Sequence, residues 1–357
     1  MNMRDFNRKR YLDFWKDINR ELGRKKSNRE ALLALAEQQF DSGFIQDDLT
    51  SVIHFRLHHP DDKCRIFTIQ YNPKRAERYN GLGRKMPPPG SRSIHNGCFL
   101  CKENVRWQQG GVEVGYDIRT ANAAYIAWMN PFPLMPVHTT IAGREHLPQS
   151  FIRENDNDTI ARCEFILRDL IELASSLPGF IGFYNGVGAG ASIPNHFHFH
   201  FFKRFEGSGP FSLERAAIKT IQGKTACPNG TVVKNYPIMA IYFHGEASSI
   251  IDASMVWVQK LIRPQRFKDA LTANVIATID PDEPDDKLVS LYIIPRNKYF
   301  SHAPGMIGMI GGLEILGEIV FSSAIEKQLL DTGQVDYHFV ERILSSVEPL
   351  GLISDIV

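Results

Sequence analysis

One run constrains this chain more than any other: His196-Phe197-His198-Phe199-His200-Phe201-Phe202 alternates imidazole and phenyl side chains. Successive side chains of a strand point to opposite faces, so the run predicts a strand that buries its Phe face and turns its His face to a cleft. The chain has 12 His in 357 residues, too few for three at alternate positions to be an ordinary accident. The plain alternative is a surface strand that happens to be rich in His.

Aligned imidazoles suit two chemistries. All three can converge on one metal ion, or the middle one, His198, can act as a nucleophile toward phosphorus. The preceding segment favours the second. Residues 180–184 read as a strand, followed by the Gly-rich loop Asn185-Gly186-Val187-Gly188-Ala189-Gly190-Ala191-Ser192. Such a loop offers backbone N–H groups and a hydroxyl to phosphate oxygens.

Cys98-Phe99-Leu100-Cys101 has the two-residue gap of a zinc knuckle. No second Cys pair exists, so the two remaining ligands would have to be His. A redox dithiol is the rival reading, although redox pairs open a helix after a strand, and here a Pro/Gly-rich loop over residues 80–97 comes first. Five Cys are too few and too odd in number for a disulfide-stapled secreted scaffold. The formal net charge of +1 supplies no global field for nucleic acid or an anionic membrane. The N-terminus lacks a signal-like apolar stretch, and the greasiest segment, residues 305–321, is interrupted by Glu314 and Glu318. A cytoplasmic protein with neither nucleic-acid nor membrane partners is expected.

Apolar spacing predicts two amphipathic helices over residues 5–39, strands at 66–71, 123–129 and 137–142, and a helix over 158–176. Residues 205–235 are rich in turn formers. Beyond them come strand candidates at 238–244, 275–279 and 289–294 and a helix at 249–262; an acidic loop over 280–286 joins the last two strands. Cys163 falls on an apolar helix face and Cys227 in a turn. His54, His58 and His59 read as solvated, Arg296 and Lys298 as surface residues with a reach to phosphate from the C-terminal half as the alternative, and Trp107, Phe132 and Phe183 as core or base-pocket aromatics.

Taken in order, these motifs resemble the histidine triad (HIT-like) superfamily. The resemblance is to its larger branch of galactose-1-phosphate uridylyltransferases, diadenosine tetraphosphate phosphorylases and GDP-hexose phosphorylases. It rests on residues 71–78 with Gly81, Cys98 to Cys101 with Asn104 and Arg106, Asn130-Pro131-Phe132-Pro133, Pro136-Val137-His138, Arg144-Glu145-His146, and residues 185–200. A weaker echo, 270–321, includes Gly311-Gly312-Leu313-Glu314-Ile315-Leu316-Gly317. The resemblance implies an α+β fold, a HIT-like antiparallel sheet with helices in two HIT-like halves. It divides the chain into an N-terminal helical extension (1–65), a catalytic half (66–204) and a divergent C-terminal half (205–357).

It further implies a nucleotidyltransferase or phosphorylase acting on a dinucleotide or nucleotide sugar, with phosphate or a sugar phosphate as acceptor and a homodimer as the assembly. His198 would form a covalent nucleotidyl-histidine, assisted by His200 and Ser192. Asn185, Gly190, Ser192, Arg75 and Arg78 would hold the nucleotide phosphates. One structural zinc ion per chain would be bound by Cys98, Cys101, His146 and His196, with His95 and His138 near enough in sequence to substitute for a His ligand. The departure is His200: transferases and phosphorylases of this branch carry Gln there, hydrolases His. Hydrolysis of the same intermediate is therefore the alternative activity, and a zinc-stabilised nucleotide-binding protein without turnover is a reading from another class. Ser192 also lies four residues before His196, one more than in the uridylyltransferases.

Overall fold

The computed structural model describes residues 8–80, 93–108, 112–152, 155–222, 226–263, 269–279, 288–302, 306 and 308–349. Two N-terminal helices come first, α1 (Arg8–Leu22) and α2 (Asn28–Asp41). The Ser27 hydroxyl opens α2 by accepting from the Glu30 N–H, which satisfies one of the donors that every helix start leaves unpaired. Then follow β1 (Ile53–His58), β2 (Ile66–Tyr71), α3 (Lys102–Gln108), β3 (Tyr116–Arg119), β4 (Ala124–Met129), β5 (Thr139–Gly143), α4 (Asp156–Ser176), β6 (Phe180–Asn185) and β7 (His198–Lys203). The remainder comprises α5 (Ser212–Ile221), β8 (Cys227–Val232), β9 (Ile241–Glu246), α6 (Ala247–Ile262), β10 (Leu271–Ile279), β11 (Leu288–Asn297), α7 (Gly312–Leu316), β12 (Glu318–Phe321), α8 (Ala324–Asp331) and α9 (Tyr337–Ser345).

Nine strands form one antiparallel sheet in the order β3-β4-β5-β7-β6-β10-β11-β9-β8. Strands from the two halves of the chain meet at β6 and β10, where Asn185 is the register partner of Asn274. A smaller sheet, β1-β2-β12, pairs β2 with β12 in parallel. The architecture is α+β, in agreement with the sequence reading.

Each face of the large sheet has its own core. Phe197, Phe199 and Phe201 pack with residues of α1, α2, α4 and α6, including Trp15, Leu32, Ile166 and Ile250. Full burial of each such phenyl contributes on the order of 2 kcal/mol. Asn155 caps α4 by accepting from Asp158 N–H, and Cys163, Ile166, Leu167, Leu170 and Ala174 are among its buried residues. The opposite face, with Phe183, Ile276 and Ile294, is covered by β2, β12, α5, α7 and α9. Residues before 66 are joined to this framework: Trp15 packs edge-on against Trp128, ring centroids 5.0 Å apart.

Two expectations are corrected. Residues 205–235 contain α5 and β8 rather than turns alone, and Cys227 begins β8. β8 is an edge strand bonded to β9 alone, with a register shift between Cys227 and Thr231, so Pro228 and Asn229-Gly230 are accommodated. The acidic loop over 280–286 lies outside the described residues. No helix among the described residues is long and apolar enough to cross a membrane.

Candidate active site and metal centre

The pleat divides the His/Phe run as its alternation requires, but the His side is not open. His196, which precedes β7, and His198, its first residue, are buried at 0% and 1% exposure; His200 is half-buried. β7 lies between β5 and β6, placing His200 opposite Thr140 on one side and Phe183 on the other. The His200 ring stacks on Phe183 with centroids 5.2 Å apart.

His198 is fixed from two directions. Its backbone is gripped by the buried Gln149 side chain: the His198 N–H donates to Oε1 at 2.8 Å, and Nε2–H donates to the His198 carbonyl at 2.7 Å. Its ring is oriented by a 2.7 Å hydrogen bond between Nδ1 and the His196 carbonyl. A carbonyl only accepts, so Nδ1 carries the proton and Nε2 holds the lone pair. That Nε2 is buried without a hydrogen-bond partner, a state that costs on the order of 1–3 kcal/mol unless a ligand takes it up. Burial, only partly offset by the bond to His196, lowers the imidazole pKa to about 4. The ring is neutral near pH 7, as a nucleophile toward phosphorus must be.

A second hydrogen-bond chain fixes His200. The Leu134 N–H donates to His138 Nδ1 at 3.2 Å, which leaves the proton of a neutral His138 on Nε2. That Nε2 lies 3.1 Å from His200 Nδ1 and donates to it. His200 in turn carries its proton on Nε2, as a hydrogen-bond donor. Sequence reasoning left His138 between pocket and packing roles; the structure makes it a lining residue that sets the tautomer of its neighbour.

Asn185, Gly190, Ser192, Arg75 and His200, all singled out from the sequence, line one pocket. Its far wall, 308–314, comes from the second half of the chain. Gly190 has φ of +93°, and a Cβ there would meet Gly311 Cα at 2.4 Å, so the loop and this wall approach closely only because both residues are Gly. Asn185 Oδ1 accepts from Asn274 Nδ2 at 2.7 Å and from Gly312 N–H at 3.0 Å. With that oxygen occupied twice, the Asn185 amide group is left to act as a donor. Arg296 supports the chain from behind, donating through Nη1 to Asn274 Oδ1 at 2.6 Å. The surface reading of Arg296 is therefore corrected: it has 0% exposure, its Nη1 bonds Asn274 and the Ile310 carbonyl, and its Nε and Nη2 are buried without a partner among the described residues.

The four residues implied as metal ligands do converge. Donor atoms of Cys98, Cys101, His146 and His196 all lie within 4.8 Å of one another. His196 Nε2 bonds the Gly143 carbonyl at 2.7 Å and so bears the proton; Nδ1 presents its lone pair to Cys98 Sγ at 3.3 Å and Cys101 Sγ at 3.5 Å. His146 Nδ1 faces the same atom at 3.2 Å. Two thiols and two imidazole nitrogens around one point fit a tetrahedral ion, with the Gly143 carbonyl as the outer partner that orients His196. Cys98 is the more acidic thiol, lowered to about 4 chiefly by the hydrogen bond with Cys101, while Cys101 is raised first by the hydrogen bond its thiol gives to Cys98, then by burial and by the charge of the Cys98 thiolate. His95 stacks flat on His146, centroids 4.0 Å apart, and His138 belongs to the pocket; neither joins the cluster.

Arg75 lines the pocket with its Nη1 donating to the Phe132 carbonyl. The side chains of Arg78 and Trp107 lie outside the described residues. Phe183 lines the pocket, whereas Phe132 is core. His54, read as solvated, lies 3.2 Å from a Glu318 carboxylate oxygen. Sequence reasoning missed Gln149, Asn274 and the support role of Arg296, since lone amides and a lone Arg carry no motif.

The nine-stranded antiparallel sheet, with the His run beside the Gly-rich loop, agrees with the HIT-like fold expected from the sequence. Among solved structures the chain is similar to yeast Ap4A phosphorylase Apa2. The AMP complex shares 16% identity at a TM-score of 0.53, covering 90% of this chain and 96% of that one; the Ap4A complex shares 15% at 0.53, covering 91% and 99%. A third structure of the yeast protein gives 15% and 0.54, covering 88% and 98%. A family profile described as "Domain of unknown function (DUF4922)" matches residues 35–203. A comparison with curated proteins finds no match.

Proposed function

We propose that this chain is a nucleotidyltransferase of the phosphorylase type. It would take a nucleoside monophosphate from a dinucleotide or nucleotide sugar and pass it to phosphate or a sugar phosphate. The observation that carries the reading is the state of His198: Nδ1–H is held by the His196 carbonyl, and Nε2 is bare, buried and unpartnered. Nε2 attacks the α-phosphorus, an N–P bond forms, and the P–O bond to the leaving group breaks with its electron pair. In the second step an acceptor oxygen attacks the same phosphorus and the N–P bond breaks, returning neutral His198. The amide of Asn185, the hydroxyl of Ser192 and the His200 Nε2–H are the donors offered to the phosphate oxygens, whose charge grows in the transition state. Gly190 lets the loop come close, and Arg75 adds positive charge at the pocket wall.

The tautomer of His200 supports transfer over hydrolysis. Held by His138 as a neutral Nε2–H donor, it presents what the amide N–H of a Gln would present. The Ap4A and AMP complexes of the yeast phosphorylase support a dinucleoside polyphosphate as the first donor to test.

Zinc is the ion this reading assigns to Cys98, Cys101, His146 and His196, where it would fix those four side chains as a structural cross-link. His196 then has two duties: its Nδ1 faces the cluster, and its carbonyl orients His198. Thiols kept free for this role suit a reducing, cytoplasmic setting. The test of the function is turnover of dinucleoside polyphosphates and nucleotide sugars with and without inorganic phosphate. Phosphate-dependent release of a nucleoside diphosphate supports the reading; phosphate-independent release of the monophosphate would favour hydrolysis.

A further inference from the structure

A cleft sharing no lining residue with the catalytic pocket lies between the start of β2, one face of α5 and the turn at Lys234-Asn235. Ser212, Arg215, Ala216, Lys219 and Thr220 reach it from α5 because three- and four-residue steps stay on one helical face. Four cationic side chains line it, Arg65, Arg215, Lys219 and Lys234, against one carboxylate, Asp62.

Local pairing leaves part of that charge unmet. Lys219 bonds Asp62 at 3.2 Å, and Arg65 bonds Glu341 at 3.0 Å. The neighbouring Glu214 is taken by Arg204 and by the Phe211 N–H. Among the described residues, Arg215 and Lys234 have no carboxylate within ion-pair distance. The guanidinium Nε–H groups of both Arg65 and Arg215 are buried without an acceptor. Burial lowers the Arg215 pKa; the adjacent Glu214 carboxylate opposes this, and the like-charged Arg56 and Arg204 add to it. An incompletely hydrated cation without a partner is costly to maintain, and an anion is the group that would relieve it.

We propose that this cleft is a second ligand site, separate from the catalytic pocket, which binds the phosphate group of a small phosphorylated molecule. Arg215 and Lys234 bond the phosphate oxygens, Arg65 adds charge from the β2 side, and the Thr220 hydroxyl, which accepts from the Lys234 N–H at 2.9 Å, holds the turn that presents Lys234. The inference does not depend on the proposed reaction. Its position gives it a path to the active site: Tyr236 in the cleft wall donates to the Ile315 carbonyl at 2.7 Å, and Ile315 lies in α7, whose first residues line the catalytic pocket.

The side-chain Nε–H resonances of Arg65 and Arg215 in the 15N-labelled full chain, assigned with Arg65→Lys and Arg215→Lys, provide the test. Inorganic phosphate and AMP are titrated separately into the millimolar range. Saturable movement of both resonances with phosphate alone shows that the bare anion suffices; movement with AMP alone shows that the phosphate must carry an organic group. Either result supports the site, and Lys234→Gln should then raise the half-saturation concentration several-fold while circular dichroism stays unchanged. Resonances that stay still with both probes in a folded chain, or a half-saturation unaffected by Lys234→Gln, would overturn it.

Discussion

The Gln149 side chain pairs with both backbone polar groups of His198, accepting from its N–H and donating to its carbonyl. An amide thus takes the place that a neighbouring strand would hold at the first residue of β7, and it ties His198 to the loop before α4. Gln149 has 0% exposure, so losing it strands two buried backbone groups. Gln149→Leu should cost about 2–4 kcal/mol, at roughly 1–3 kcal/mol per orphaned group after partial relaxation. Urea unfolding measures the loss. Turnover at temperatures where the variant remains folded should fall too, because the imidazole loses its fixed position; unchanged stability would remove Gln149 from the account.

His200→Gln tests the tautomer argument. A Gln supplies a neutral N–H donor at that position, so the variant should keep turnover within about tenfold of the parent, since each tenfold is only about 1.4 kcal/mol. His200→Phe, which keeps the ring and removes the donor, should lose about a hundredfold or more, in the range seen on removal of one oxyanion donor. The product ratio with and without phosphate should not change in His200→Gln. A switch from hydrolysis to phosphorolysis in that variant would show that the parent His200 serves water.

The four-ligand cluster makes a stoichiometric prediction. Purified protein should carry about one zinc ion per chain, and Cys98→Ser or Cys101→Ser should lose it together with several kcal/mol of stability, because metal binding and folding are coupled. Elemental analysis alongside thermal unfolding reads both. His95→Ala should keep the metal, since His95 stacks on His146 and stays out of the cluster. Full zinc content in Cys98→Ser would refute the ligand set.

Glu314 gives a pH dependence with a definite sign. Burial raises its pKa above the ordinary 4.5, against the opposing pull of the Gly311 N–H, Arg75 and Arg296. The folded chain therefore holds this proton more tightly than the unfolded chain. The resulting stability is complete below pH 4.5 and is lost as pH rises through the folded-state value. Glu314→Gln keeps an acceptor for the Gly311 N–H and carries no charge. Relative to the parent it should gain stability as pH rises from about 4.5 toward neutrality, with little difference below. Denaturant unfolding across that range measures the gap; one that closes as pH rises would contradict the assignment.

Legibility followed the range of the signals. The strand at 66–71, the helix over 158–176 and the alternation at β7 are local patterns, and each formed close to where its periodicity placed it. The Cys98 and Cys101 pair is legible from its spacing, His146 and His196 were implied only by the resemblance, and the four residues meet in the fold. What stayed hidden depends on pairing between distant segments. Asn274 and Arg296 support Asn185 only because β6 and β10 lie side by side, and 308–314 form the far wall of the pocket only because β12 pairs with β2. The stretch 205–235 was misread because turn formers in β8 sit on an edge strand, where a register shift accommodates them, and because α5 is only ten residues long, under three turns. Burial of His196 and His198 was likewise unreadable, since alternation gives the face and not what covers it.

The most direct test is intact-mass spectrometry of the protein mixed with Ap4A in the absence of phosphate and held at alkaline pH, where phosphoramidates persist. The expected result is an added mass of one adenylyl group, lost on addition of phosphate and absent from His198→Gly, which should still bind zinc and remain folded. Turnover without any adduct, an adduct that survives in His198→Gly, or loss of zinc from that variant would contradict it.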